Sequence, residues 1–210
     1  MSSNEATVSS TPVSKGYYVA TSLSNNLQVG YDSFVVREDE GGLVVESKHL
    51  IFGGNAPVQT ARFNLDLDWT PRRLEVTVED LMTAVVEFGE TETSLHASTP
   101  QGEQRTSFPV GRRRAYFLMS GALYFPMHIV RRFDFDNPQP QKFDLVPSGL
   151  CEVRRGEDLV EDGETFRQLE MRFQIESIED AAMLVVNRRG DLVRYRTRNQ
   201  NLLVKLEERE

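Results

Sequence analysis

Three histidines, one cysteine and a run of three arginines are the side chains whose chemistry needs explaining first. His49, His96 and His128 lie far apart, and no two share the short spacing that presents two imidazoles to one cation. Cys151 has no second cysteine to complete a zinc site or a disulfide. No metal is therefore expected. The chain has no GxSxG, P-loop, GxGxxG or HExxH pattern, so no cofactor is expected either. Gly53-Gly54 lacks the Lys-Ser/Thr that follows a phosphate-cradling loop and reads as a turn.

Each remaining group has a reactive and a plain reading. Cys151 in GLCEV has no local base to lower its pKa, which favours a buried, inert thiol. His49 shares a face with Leu43, Val45 and Ile51 if VESKHLIF is a strand, and reads as a polar residue near a strand end. His128 lies near Tyr124 and Arg131, and an imidazole titrates where acid–base chemistry is useful. Its plain reading is a surface histidine on a helix. Asp66 and Asp68 sit two apart on the wet face of a strand and read as solvated. Arg112, Arg113 and Arg114 open a helical pattern, where cations oppose the macrodipole. They either precede the helix or meet an anionic group at a pocket mouth. Nothing here specifies a catalytic constellation, and enzyme activity is not the leading expectation.

The elements around these residues are mostly strands. In ARFNLDLDW, Ala61, Phe63, Leu65, Leu67 and Trp69 alternate with Arg62, Asn64, Asp66 and Asp68, the pattern of a strand with one dry face. LEVTVED, LEMRFQIES and the segment AMLVVNRRGDLVRYRTRNQNLLVKLEE continue the period of two. The first face should be buried together with Leu169, Met171, Phe173 and Ile175. Turns at Glu40-Gly41-Gly42, Gly53-Gly54-Asn55, Pro100-Gln101-Gly102, Asp162-Gly163 and Arg189-Gly190-Asp191 recur at short spacing, which favours a meander or barrel. The expected fold is mainly β: a curved antiparallel sheet, half-barrel or open barrel, of about ten strands. One segment departs from it. In RRRAYFLMSGALYFPMHIVRRF, Tyr116, Met119, Leu123, Met127 and Val130 have helical spacing, and Pro126 should end or kink the helix near Tyr124. A kinked helical insert between Arg112 and Phe133 is therefore expected across one end of the sheet or inside its curve.

Charge and length narrow the partners. With 24 basic against 32 acidic side chains the net charge is −8. Such a chain is repelled by phosphate backbones, so no nucleic acid is expected. No stretch approaches the roughly 20 apolar residues that span a bilayer, so no stable membrane insertion is expected. Residues 1–14, rich in Ser and Thr, read as a disordered tail, with one domain over 15–210. The opening MSSNEATVSSTPVSKG has no apolar core and does not read as a secretion signal. The expected location is cytoplasmic, or periplasmic if a signal has been removed from a mature chain.

The segments GYYVATSLSNNLQVGYDSFVV, ESKHLIF, LDWTPRRLEV and LVVNRRGDLVRY, in this order around a helical insert, resemble the superfamily of bacterial lipoprotein-carrier proteins of the Lol type. They also resemble uncharacterised bacterial domains sharing that half-barrel. The likeness is one of pattern over residues 16–207. It implies an apolar cavity that accepts acyl chains, with helices plugging its mouth; a few relatives are enzymes of secondary metabolism. The resulting expectation is a protein that binds a hydrophobic, lipid-like small molecule inside a curved sheet. Phe63, Trp69, Tyr116, Met119, Leu123 and Met127 would line the site, and Arg112 and Arg113 would stand at its rim. The alternatives are an enzyme using the same cavity and a partner-binding β domain with a filled core.

Overall fold

The computed structural model describes residues 12–39, 41–52, 56–117, 125–175, 178–197 and 202–209. Among these, the chain runs β1 (Pro12–Ser22), β2 (Gln28–Asp39), β3 (Gly42–Ile51), β4 (Gln59–Leu65), β5 (Pro71–Val78), β6 (Met82–Phe88), β7 (Thr93–Thr99), β8 (Gly102–Phe108) and β9 (Ala115–Phe117). The helix α1 (Phe125–Arg132) follows. Then come β10 (Gln141–Val146), β11 (Leu150–Arg155), β12 (Leu159–Glu161), β13 (Glu164–Ile175), β14 (Ile178–Val186), β15 (Leu192–Thr197) and β16 (Leu202–Arg209). All join one open, curved sheet in the order β8-β7-β6-β5-β4-β3-β2-β1-β16-β15-β14-β13-β11-β10-β9, with β12 added on β13. Every pairing is antiparallel except β9 with β10.

Most neighbours in the sheet are neighbours in sequence, because tight hairpins fold each strand onto the last. Gly41, with φ of 90°, makes the β2–β3 turn, where a side chain would be strained. The one long-range closure is β1 on β16, which joins the two meanders with Tyr18 opposite Leu206 and Ala20 opposite Val204. The sheet edges β8 and β9 are consecutive in sequence. The link between them packs on the β6–β7 hairpin, with Arg112 N–H donating to Gly89 O at 2.8 Å. A Cβ on Gly111 would stand 2.1 Å from Glu90 O, so no larger residue fits that approach.

Strands exceed the expected ten because some carry no readable period. β9 and β12 are three residues long. β8, GEQRTSF, is an edge strand and largely solvated. The inward face is mainly apolar: Phe34, Val45, Phe63, Leu74, Val86, Leu169 and Leu184 are all buried.

The run from Ala61 to Trp69 holds its alternation only to Leu65. The chain then turns, with Trp69 N–H bonded to Asp66 O and Trp69 at φ 66°. Leu67 is consequently 61% exposed and Trp69 half-buried, rather than both lying in the core. On β13 Leu169 and Met171 are buried, whereas Phe173 and Ile175 are only partly covered.

The helical insert is shorter than its apolar spacing predicts. Arg112–Arg114 form a turn and Tyr116 lies on β9, so they are not helical. Pro126 does not break α1: it is the helix's second residue, where its missing N–H has no intrahelical partner to lose. Met119, Leu123 and Tyr124 lie outside the described residues, as do residues 1–11 of the expected tail; Pro12–Ser14 of that tail already belong to β1. No helix among the described residues is long and apolar enough to cross a membrane.

Leu65→Ala should lower unfolding free energy by about 2–5 kcal/mol, because it opens a cavity in close-packed surroundings. Leu67→Ala should change it by less than about 0.5 kcal/mol. Urea denaturation of the two variants checks the assignment of the turn at Asp66.

Candidate functional site

Four of the expected site residues meet at α1. Phe63 comes from β4, Trp69 from the β4–β5 turn, Tyr116 from β9 and Met127 from α1 itself. The residue that joins them is His128, which is buried rather than on the surface of its helix. Pro126 to Val130 are all buried, so this helix has no solvent face along that turn. The His128 ring lies 4.9 Å from the Phe63 ring and is stacked 6.0 Å from that of Tyr116. Its Nε2 is 2.8 Å from the Trp69 carbonyl oxygen. A carbonyl only accepts, so Nε2 carries the proton and Nδ1 is left as an acceptor, buried without a hydrogen-bond partner. Met127 Sδ accepts from the Tyr18 hydroxyl at 3.3 Å, and that hydroxyl also lies 2.9 Å from Leu192 O.

The end of α1 carries the cations. Arg131 donates to Asp191 Oδ1 at 2.5 Å and to Arg189 O at 3.2 Å, and its guanidinium stacks 5.5 Å above Trp69. Asp191 is 1% exposed and also accepts from Asn187 Nδ2 at 3.1 Å. Arg132 donates to the carbonyls of Ala115, Arg112 and Arg113 and lies over Phe143. Burial lowers its pKa to about 10, opposed by the Asp68 carboxylate.

Burial also sets the other titrations. It holds His128 well below its ordinary range, with Arg132 adding to the effect. It lowers His49 as well. Tyr116 is pushed up, chiefly by burial. Cys151 is pushed up to about 12, the property of an unreactive thiol. Among the described residues no group of His, Cys, Asp and Glu side chains could hold a metal ion.

Arg112 and Arg113 part company. Arg112 Nη1 donates to Asp66 Oδ2 at 2.8 Å, and its Nε lies 2.7 Å from Glu90 Oε1, so carboxylates of this chain already face it. Arg113 is exposed; the Thr70 backbone N–H chiefly holds the Asp68 carboxyl below its ordinary range, with the Arg132 and Arg113 charges adding to it.

The inward face is unevenly covered. On β4, β5 and β6, Phe63, Leu74 and Val86 near the Asp66 turn are buried, as are Val76 and Ala84 in the next row, whereas Ala61 and, farther on, Val78 and Met82 are only partly covered. On β13 burial falls in the same way from Leu169 to Ile175. An eight-residue helix is about 12 Å long, too short to cover strands of 10–12 residues, about 33–40 Å. Two surface concavities, of about 890 and 450 Å³, lie over β11, β13, β14 and β15 and over β2 to β5. Their exposed lining is the outward rows, Arg172, Met183 and Arg196 in the first and Lys48, Arg62 and Thr77 in the second. The Arg62–Glu46 ion pair lies among the lining residues of the second dish.

No family model and no curated protein matches the chain. Among solved structures it is similar to a beta-barrel-like protein of a domain of unknown function, DUF1849, from Brucella abortus. The TM-score is 0.63 at 10% identity, over 94% of this chain and 96% of that one. At that identity the likeness shows the fold alone: an open, barrel-like antiparallel sheet.

Two outcomes check the site's electrostatics. Folding depresses the pKa of His128 and His49 below the unfolded value of 6.5. Above that value both states are neutral and stability is complete. Below it the unfolded chain takes up protons that the folded interior refuses, so stability falls as pH drops from about 7 to about 5. His128→Gln should reduce that slope in urea titrations. Separately, Arg131→Met should cost about 3–5 kcal/mol by stripping buried Asp191 of its cation, whereas Arg113→Met should cost less than about 0.5 kcal/mol.

Proposed function

We propose that the protein binds a hydrophobic, lipid-like small molecule against the inward face of its curved sheet. The observation that carries this reading is the fall in burial along that face. The inner side chains around α1 are packed, and Ala61, Val78, Met82, Phe173 and Ile175 beyond it are apolar yet only partly covered. Apolar surface of that kind gains about 25 cal/mol per Å² when a guest removes it from water. Methionine and aromatic side chains adapt to an irregular chain. The reading agrees with the resemblance to lipoprotein-carrier half-barrels. It moves the guest away from Tyr116 and Met127, which are 1% exposed and belong to the packing under α1.

The test is titration with a naturally fluorescent polyene fatty acid, together with mass spectrometry of organic extracts of the purified protein. Saturable binding at one site per chain is expected, with affinity lost in Met82→Asp, which puts an unpaired charge on the apolar face. A folded protein that binds no apolar probe and yields no extract would instead support a partner-binding domain with a filled core.

A further inference from the structure

One row of paired residues crosses the inward face at the height of His49. Tyr18 on β1 stands opposite Asp32 on β2, Asp32 opposite His49 on β3, and His49 opposite Gln59 on β4. Gln59 stands opposite Val78 on β5, and Val78 opposite Met82 on β6. Directly paired residues share a face, so the row is continuous. It changes character along its length, from polar at Asp32, His49 and Gln59 to apolar at Val78 and Met82. The apolar end is partly covered, and His49 and Met82 are three strand spacings apart, about 14 Å.

His49 is the anomaly in this row. It is 4% exposed, and both ring nitrogens are buried with no hydrogen-bond partner. Burial keeps the ring neutral at neutral pH, so one nitrogen donates and the other accepts. Leaving both unmade is costly, and native structures rarely do so without reason. Gly30, beside it on β2, has no side chain over the imidazole; a Cβ there would stand in ordinary contact with His49 Cε1 at 3.7 Å. Asp32, fully buried across the strand, sets the sign of the charge such a site tolerates. Burial first and the Asp32 charge second push the Tyr195 phenol up, and that charge would repel a carboxylate or phosphate brought to His49.

We propose that His49 is the head-group anchor of the apolar site, selecting a neutral, hydroxyl-bearing amphiphile whose chain runs along Val78 and Met82. A hydroxyl donates to the bare ring nitrogen or accepts from the protonated one, so it pairs with whichever of the two, on opposite edges of the ring, faces the guest. An ether of the same length only accepts. A carboxylate only accepts and meets Asp32. The proposal rests on the reading that the inward face binds an apolar guest, and it names which end of the guest goes where.

The experiment measures displacement of a bound naphthylamine probe by dodecanol, dodecyl methyl ether and dodecanoate, in the wild-type protein and in His49→Phe and His49→Gln. Wild type should prefer dodecanol over the ether by about tenfold, the value of one buried hydrogen bond to a guest, and should bind dodecanoate more weakly than dodecanol. His49→Phe keeps an aromatic ring without its nitrogens, and should bind alcohol and ether equally. His49→Gln, which restores a donor and an acceptor, should regain the preference. If ether and alcohol bind wild type equally, or His49→Phe keeps the preference, the anchor is wrong while apolar binding stands; His49 then holds an ordered water only. If dodecanoate binds tightest, selection is by cations and the anchor is again wrong. If no compound displaces the probe, or the probe itself does not bind, the apolar site and its anchor both fall.

Discussion

The hydrogen bond from His128 to the Trp69 carbonyl ties the inside of the molecule to the end of β4. A sheet that pairs through fifteen successive strands must curl, and a curled sheet must fill its concave side or leave it to solvent. The described chain spends one eight-residue helix on that task. The helix stays in place because three of its side chains reach three parts of the wall. His128 takes the turn that ends β4, Arg131 the β14–β15 turn through Asp191, and Arg132 the carbonyls before the edge strand β9. Both arginines lie in the last turn of α1, where the helix dipole favours positive charge. Their partners are backbone oxygens and one buried carboxylate rather than solvent.

That arrangement divides the inward face. Around α1, rings and aliphatic chains are close-packed: Phe63 and Tyr116 on His128, and Tyr18 on Phe34, 5.5 Å between centroids. Farther along β4, β5 and β6 the same apolar rows continue without equal cover. The outward face takes the other role. Its rows pair Arg62 with Glu46 and Arg194 with Glu161, solvated contacts worth little individually. Binding, on this account, belongs to the inward face because apolar surface is incompletely covered there.

The sheet was legible in the sequence because alternation is a local signal that each strand repeats for itself. Phe63 and Leu65 read correctly because their outward neighbours are polar. Leu67 and Trp69 misread because alternation in the sequence outlasts the strand: the turn is made by Trp69 in the left-handed region, a conformation no side-chain pattern announces. Tyr116 misread because a three-residue strand shows no period, and its spacing to Met127 mimicked a helix. His128 is the instructive miss. Its neighbours Pro126, Met127, Ile129 and Val130 form an all-apolar run, which marks a helix buried all round rather than one with a wet face. The arginines at 112–114 read either as lying before the helix or as meeting an anion; they precede it in a turn, and Arg112 and Arg114 meet Asp66, Glu90 and Asp144 of the same chain. Long-range ion pairs cannot be read from local order.

The most direct test of the account asks which face of the sheet an apolar guest touches. Met82 lies on the inward face of β6, and Met183 lies on the outward face of β14 at 36% exposure. With the methionine methyls carrying carbon-13, intermolecular nuclear Overhauser effects from the chain protons of bound dodecanol separate the two. Effects to the Met82 methyl and none to that of Met183 are expected. Effects to Met183 with none to Met82 would place the guest in the outward dish over β13 and β14 and contradict the account.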